Sequence, residues 1–233
     1  MNIFKIAYLT ILILCTQTIC HSEVHFISLG RDCQPANQLR NFKLRIAAYP
    51  FDWMVSRNFC GIILAIQEDL KHFLDPNLLT YKTSYIENAY YQFEYNHFFP
   101  LVGKPITEEV FVAGTIVPNF MDFLPSVQQV QNKRINRLIS LLSSQEDTVV
   151  FIRTHASPTE ASAFAKMIKR KYPLLNFHLV VVHENENLIG DWNIPNVVNF
   201  YACRRSGLAD WWNQAEWESI FQKIYQLLNP IKT

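Results

Sequence analysis

The chain has 233 residues, of which 49% are apolar and 18% are charged, and its formal net charge is +1. This composition is typical of a folded globular protein and excludes an intrinsically disordered chain. The length is enough for one domain with a sizeable core, and the nearly neutral charge gives no reason to expect a nucleic acid as a partner.

The first 20 residues have the form of a secretory signal peptide. Lys5 precedes an apolar run over residues 6–14, and small or polar residues follow as far as Cys20. This run is short for a membrane span. We therefore expect residues 1–20 to be removed, the mature protein to be exported to the periplasm or secreted, and no stable membrane span to remain. A buried first strand or a membrane anchor is the alternative.

The N-terminal half of the remaining chain contains one predicted strand and three predicted helices. Apolar spacing predicts the strand at 25–29 and the helices at 34–46, 57–73 and 126–143. Residues 77–120 carry a dense tract of tyrosines and phenylalanines, which we interpret as a lid or an inserted subdomain with short strands.

The C-terminal half alternates between strands and helices. Its predicted elements are a strand at 148–152, a helix to about residue 171 that begins at the capping box Ser157-Pro158-Thr159-Glu160, strands at 177–182 and 196–201, and a helix at 214–228. Strand, helix and strand in this order predict parallel pairing through right-handed crossovers. The predicted fold class is α/β, with three layers, a mostly parallel sheet covered by helices on both faces, and an aromatic-rich insertion at 77–120. We expect residues 21–233 to form a single domain.

Three chemically capable side chains follow predicted strands. Cys33 follows strand 25–29, His155 follows strand 148–152, and His183 follows strand 177–182. Ligands of open parallel sheets bind at the carboxyl ends of the strands. The sequence therefore predicts that these three residues share one edge of the sheet, where they could form a site.

Cys33 also lies where a helix is predicted to begin. A helix N-terminus presents free N–H groups and a partial positive charge, which favour the nucleophilic thiolate, and a nearby imidazole would activate it further. The N–H groups near residues 33–36 could then hold an oxyanion. We expect His155 or His97 to be the base, His97 only if the aromatic tract folds over the site. Asp52 either ties down a turn or orients a histidine. Cys33 as a residue that only packs is the alternative.

Arg31, Arg40 and Arg153 are the predicted substrate-binding residues. In a second hypothesis the protein is a carbohydrate-active or glycan-binding α/β protein without thiol catalysis, and these arginines form its ligand surface together with aromatic rings. Trp211, Trp212 and Trp217 would then stack on sugars, unless the terminal helix packs them inward. A third hypothesis is an interaction protein with a vestigial site.

Signal cleavage would leave Cys33, Cys60 and Cys203, an odd number, so at least one thiol would be free, although a disulfide between two of them stays open. No cysteine–histidine spacing suits zinc, so no metal is predicted. The chain has no glycine-rich dinucleotide motif or P-loop, and no cofactor is predicted.

The stretch ISLGRDCQPANQLRNFKLRIAAYPFDWMV resembles the opening of the putative papain-like cysteine peptidases. The matching elements are Ser28-Leu29-Gly30, Cys33, Leu39-Arg40, Leu44-Arg45 and Pro50-Phe51-Asp52-Trp53. The resemblance implies Cys33 as the nucleophile and a histidine as its base. The His-Asp-Phe element of that family has its nearest match in His97-Phe98-Phe99, without the aspartate. Cys33 lacks the glycine and tryptophan neighbours of a papain cysteine. We therefore expect a thiol hydrolase or acyltransferase whose substrate is a peptide, an amide or a glycan-linked group.

Overall fold

Four parallel strands form the central sheet of the computed structural model, which describes residues 22–104, 114–203 and 214–229. In chain order the strands are β1 (Val24–Ser28), β2 (Leu79–Tyr81), β3 (Ile86–Asn88), β4 (Phe93–Tyr95), β5 (Thr148–Thr154), β6 (Asn176–His183) and β7 (Val197–Tyr201). The α-helices are α1 (Gln34–Asn41), α2 (Phe59–Gln67), α3 (Leu124–Leu142), α4 (Pro158–Lys171) and α5 (Gln214–Leu228). The central sheet has the order β1-β5-β6-β7. Ser28 lies opposite Ile152, and Thr154 lies opposite Val182.

Alternating side chains divide the sheet between two apolar clusters, one on each face. Ile27, Phe151 and Val181 pack with α2, α3 and α4 in the larger cluster. Phe26 and Ile152 pack with Leu39 of α1 and with Trp217 and Phe221 of α5 in the smaller one. The predicted three-layer α/β class is confirmed.

The predicted tryptophan surface for sugars does not involve Trp217. This side chain is buried in the smaller cluster, so it packs inward. Trp211 and Trp212 lie outside the described residues, as does the predicted signal segment 1–20. None of the helices within the described ranges has the length and apolar character needed to cross a membrane.

The aromatic tract contains a three-stranded antiparallel sheet in the order β2-β3-β4. Its rings pack on one another and on α2. Tyr95 stacks on Phe98 at 4.9 Å between ring centroids, and Phe93 packs edge-on against Phe51 at 6.2 Å. These rings belong to the larger apolar cluster, so much of the tract is core and not a lid. The expectation of short strands in this segment agrees with the structure.

Two helices are shorter than predicted, for the same reason. Helix α1 ends at Asn41 rather than 46, because Lys43 turns left-handed (φ 58°) and Leu44 N–H donates to Leu39 O at 2.8 Å. Helix α2 runs over 59–67 rather than 57–73 and ends in the same way at Leu70, whose N–H donates to Ala65 O at 2.7 Å. Both are Schellman endings, and both lack the glycine that usually marks one.

Candidate active site

Cys33, His155 and His183 occupy the carboxyl edge of neighbouring parallel strands. Cys33 is the N-cap of α1, five residues beyond the end of β1. His155 directly follows β5, and His183 is the last residue of β6. Because β5 lies between β1 and β6, the three residues belong to one continuous edge.

The loop between β1 and α1 is held by hydrogen bonds to Ser56. Arg31 N–H donates to Ser56 Oγ at 3.0 Å, and Ser56 N–H donates to Arg31 O at 3.3 Å. Gly30 and Arg31 both have φ of 72°. A Cβ on Gly30 would lie 3.0 Å from Ser56 Oγ, so the loop needs glycine there for space as well as for conformation. At Arg31 the same conformation costs of order 1 kcal/mol, which the surrounding hydrogen bonds offset.

Arg153, predicted to bind substrate, is a buried tie between β5 and this loop. Its guanidinium donates to Leu29 O at 2.9 Å and to Ser56 Oγ and O at 2.7 and 2.6 Å. It also stacks on the Phe59 ring at 4.6 Å. Burial lowers the pKa of Arg153 to about 9. Nothing in the sequence around Ser56 indicated its role as the common acceptor.

The N-terminus of α1 is open, in contrast to that of α4. In α4 Ser157 and Glu160 satisfy each other's backbone N–H groups in a capping box. Cys33 makes no side-chain cap, and the Gln34 N–H is taken by Asp32 Oδ1 at 3.0 Å. Since residue 35 is proline, the N–H groups of Cys33 and Ala36 are the ones in this turn that have no acceptor among the described residues.

The thiol of Cys33 is protonated at neutral pH. Burial, together with the negative charges of Asp32 and Asp52, raises the pKa of Cys33 to about 12. The sequence had predicted the opposite direction, from the helix N-terminus. The partial charge of one short helix is outweighed here by removal from water and by two carboxylates. The charged groups that raise this pKa are both aspartates.

His155 forms an imidazole–carboxylate pair with Glu184. His155 Nε2 lies 3.0 Å from Glu184 Oε1, and about a quarter of each side chain is exposed. The backbone of His155 is left-handed (φ 54°), and its N–H donates to Val182 O at 2.9 Å. The pair of His155 and Glu184 has the composition of a general base and the group that orients it.

His183 lies beside this pair with its ring nitrogens unsatisfied. Its ring centroid is 5.9 Å from that of His155 and 5.6 Å from that of Trp192. Neither ring nitrogen makes a hydrogen bond of ordinary geometry within the described ranges, although the side chain is only 3% exposed. Burial, followed by the charge of His155, lowers the pKa of His183, with the backbone of Ala156 acting in the opposite direction.

His97, the other candidate base, lies between the aromatic sheet and the buried pair Phe98 and Phe99. Burial lowers the pKa of His97, which favours the neutral imidazole.

Asp52 ties down a turn, one of the two roles predicted for it. Its Oδ2 accepts from Tyr49 N–H at 2.9 Å and from Arg45 Nε at 3.0 Å. Arg40 and Arg45 lie over the Trp53 ring at 5.6 and 5.1 Å. Burial raises the pKa of Asp52, although Arg45 and the Tyr49 N–H act to lower it. The Leu-Arg and Pro-Phe-Asp-Trp elements therefore form one packed unit, and Arg40, predicted to bind substrate, is part of it.

The three described cysteines are free thiols. Cys33 and Cys203 are half-buried and Cys60 is exposed. Cys33 and Cys203 follow β1 and β7, the two outer strands of the sheet. Within the described ranges no group of three or more histidine, cysteine or acidic side chains is arranged to hold a metal ion.

A family model described as "Putative papain-like cysteine peptidase (DUF1796)" matches residues 24–187. The match begins at β1 and includes every residue of the candidate site, from Arg31 to Glu184. The chain has no match among curated proteins or solved structures.

Proposed function

The chain belongs to the family of putative papain-like cysteine peptidases, and from this premise we propose that it is a cysteine-dependent hydrolase or acyltransferase with Cys33 as its nucleophile. The bond attacked is an amide or a thioester. The observation that supports this proposal most is the imidazole–carboxylate pair of His155 and Glu184, on the strand next to the one that leads to Cys33.

His155 is the proposed base. Its pairing with Glu184 at 3.0 Å fixes one ring nitrogen, and this would leave Nδ1 to exchange a proton at the thiol. The carboxylate would also stabilise the imidazolium that forms. His97 is less suited to this role, because it directly precedes Phe98 and Phe99, which are buried in the larger apolar cluster.

In the proposed reaction, the Cys33 sulfur attacks the carbonyl carbon as His155 takes the thiol proton. The carbonyl oxygen becomes an oxyanion, for which the open N–H groups of Cys33 and Ala36 are donors. Collapse breaks the bond to the leaving amine or thiol, which receives the proton from His155. Water then cleaves the acyl-thioester in a hydrolase, and a second nucleophile does so in an acyltransferase.

The raised pKa of Cys33 determines how the thiol would react. With a pKa of about 12, almost no thiolate exists at neutral pH in the free protein. Attack would then need proton transfer to the base in the same step, as for a serine nucleophile, and not a preformed thiolate–imidazolium pair. We therefore expect the reaction to depend strongly on His155.

Acylation by p-nitrophenyl acetate tests this proposal without knowledge of the natural substrate. Peptide mass spectrometry should find an acetyl thioester on Cys33, with p-nitrophenol released in at least an equal amount. His155→Gln should slow acetylation of Cys33 by about 100-fold, the lower end of the usual contribution of a general base. Cys33→Ser should abolish it, while Cys60→Ser is the matched control and should leave it unchanged.

Two results would count against the proposal. One is acetylation of Cys33 at a rate no higher than that of the exposed Cys60 thiol. The other is an unchanged Cys33 rate in His155→Gln; loss of rate in His97→Gln alone would move the base to His97. If Cys33 were inert in every variant, the glycan-binding hypothesis would lead.

A further inference from the structure

One of the three arginines at the candidate site differs from the other two in the contacts of its guanidinium. Arg153 is bonded to Leu29 and Ser56, and Arg40 lies over Trp53 and donates to Asn37 at 3.1 Å. The guanidinium of Arg31 makes no hydrogen bond or ion pair with any described residue. Among the described residues, it is therefore a positive charge at the edge of the sheet that has no partner.

The backbone fixes the position of Arg31. Its N–H and its carbonyl are both hydrogen-bonded to Ser56. These bonds hold the backbone at a left-handed φ of 72°, a conformation of higher free energy for a residue other than glycine. Arg31 is half-buried and lies two residues before Cys33. Its charge acts on Arg153 and on His183, so its field extends along the edge from β1 to β6.

Unsatisfied buried polar atoms lie along the same edge. The hydroxyl of Thr154 has no hydrogen-bond partner among the described residues, and neither ring nitrogen of His183 makes a hydrogen bond of ordinary geometry there, although the backbone of Ala156 acts on the ring. These residues are 0% and 3% exposed. An unsatisfied buried polar group costs about 1–3 kcal/mol, so native proteins rarely keep several together without a ligand or water to meet them. A ligand with oxygen atoms at this edge could accept from the His183 ring N–H.

The acidic groups at this edge have partners of their own. Asp32 accepts from the Gln34 N–H, Glu160 is held in the capping box with Ser157, and Glu184 is paired with His155. Of these arginines and acidic groups, all in the described part of the chain, Arg31 is the one whose charge stays available to an incoming group, and that group should be negative.

We infer that Arg31 and His183 form an anion subsite beside Cys33, which takes a carboxylate of the substrate close to the bond that is cleaved. The inference rests on the proposed function, and it adds a substrate class, an acidic peptide or amide. The carboxylate could be a chain terminus or an acidic side chain, because the two have the same chemistry.

Two alkylating reagents that differ in charge alone test the subsite. Iodoacetate and iodoacetamide both form an S–C bond to the thiol and release iodide, but only iodoacetate carries a carboxylate. The measured quantity is the ratio of their rates at Cys33 in the full chain at about pH 9, where more thiolate is present. Peptide mass spectrometry separates Cys33 from Cys60.

Arg31→Gln should lower the ratio of iodoacetate to iodoacetamide rates at Cys33 at least about fivefold, because a positive charge at a site concentrates anions there. Most of the wild-type preference should disappear in about 0.5 M salt. His183→Gln should lower the ratio less. Arg57→Gln is the matched control, since Arg57 is 78% exposed and pairs with Glu94, and it should leave the ratio unchanged.

The outcomes separate this inference from the proposed function. An unchanged ratio in Arg31→Gln, with Cys33 still acetylated by p-nitrophenyl acetate, overturns the subsite and leaves the hydrolase proposal standing. An inert Cys33 in the acetylation assay overturns the hydrolase proposal itself.

Three small amides identify the source of the carboxylate by protection of Cys33 from iodoacetamide. N-acetylalanine carries a terminal carboxylate, N-acetylaspartate α-amide carries a side-chain carboxylate, and N-acetylalanine amide carries neither. Stronger protection by one of the charged compounds, lost in Arg31→Gln, supports the subsite and identifies its source. Equal protection by all three, or protection by none, contradicts it.

Discussion

Two carboxylates near Cys33 work against its nucleophilicity. Asp32 uses its Oδ1 to accept the first N–H of α1, where it stabilises the helix start, but its charge raises the pKa of the thiol. Asp52 has the same effect on the thiol from its position in the turn that it holds. These carboxylates therefore stabilise the local backbone but lower the reactivity of the thiol.

Replacing Asp32 by Asn should separate the effect on loop stability from the effect on thiol reactivity. The amide oxygen of Asn can still accept the Gln34 N–H, so the loop should persist. Loss of the negative charge lowers the pKa of Cys33 and increases the thiolate fraction at a given pH. We expect Asp32→Asn to increase the iodoacetamide rate at Cys33 at about pH 8 severalfold, as followed by peptide mass spectrometry.

The Cys60 rate in the same sample is the internal control for Asp32→Asn. In the wild-type protein the Cys33 rate should still be rising at about pH 10, because the pKa lies near 12. A wild-type rate that levels off below about pH 8 would contradict the assignment of a protonated thiol.

The position of Cys33 could be predicted from the sequence, whereas its electrostatics could not. Strand β1, the start of α1 and the register of parallel strands follow from local apolar patterns, which place Cys33 and His155 on one edge. The pKa of the thiol depends on its depth and on Asp52, nineteen residues away in sequence. No local pattern carries that information. The pairing of His155 with Glu184 is a tertiary contact of the same kind.

Helix α2 packs very closely against the aromatic sheet at one position, Gly61. A Cβ on Gly61 would lie 2.0 Å from Tyr91 O, in the segment between β3 and β4. This helix can therefore pack against the aromatic sheet only with glycine at that position, although its sequence reads as an ordinary apolar helix.

Gly61→Ala should lower the free energy of unfolding by about 3 kcal/mol or more, toward the upper end of the range for overpacked cores, because the clash is with backbone. Urea denaturation measures the change. Gly190→Ala is the matched control, since no atom lies within 4 Å of its added Cβ, and it should be nearly neutral. Equal stability of the two variants would show that α2 moves away from the sheet at little cost.

The ends of α1 and α2 show where prediction from apolar spacing stops. The 3.6-residue pattern continues past both helices, because the residues after them still pack into the core. The chain leaves the helix at Lys43 and Asp69, which are left-handed without being glycine. At α2, Lys171 Nζ donates to the last carbonyls, Ile66 O and Gln67 O, each at 2.9 Å. That contact comes from a helix more than a hundred residues away.

Three histidines that are buried or half-buried make the stability of the whole protein depend on pH. Burial is the first cause of a lowered pKa at His97, His178 and His183, relative to 6.5. They belong to different parts of the fold, one after the aromatic sheet, one within β6 and one at the site edge. Asp52 acts with the opposite sign, because burial raises the pKa of an acid.

The folded protein should lose stability as the pH falls below 6.5. A histidine with a lowered folded pKa binds fewer protons when folded than when unfolded, so its contribution is complete above 6.5 and is lost as the pH falls toward the folded pKa. We expect a lower urea midpoint at about pH 5.5 than at about pH 7.5. His178→Gln, which lies in β6 away from the candidate site, should reduce that difference, because glutamine does not titrate. A midpoint that changes with pH as much in His178→Gln as in the wild-type protein would contradict this assignment, and the loss would then belong to His97 and His183.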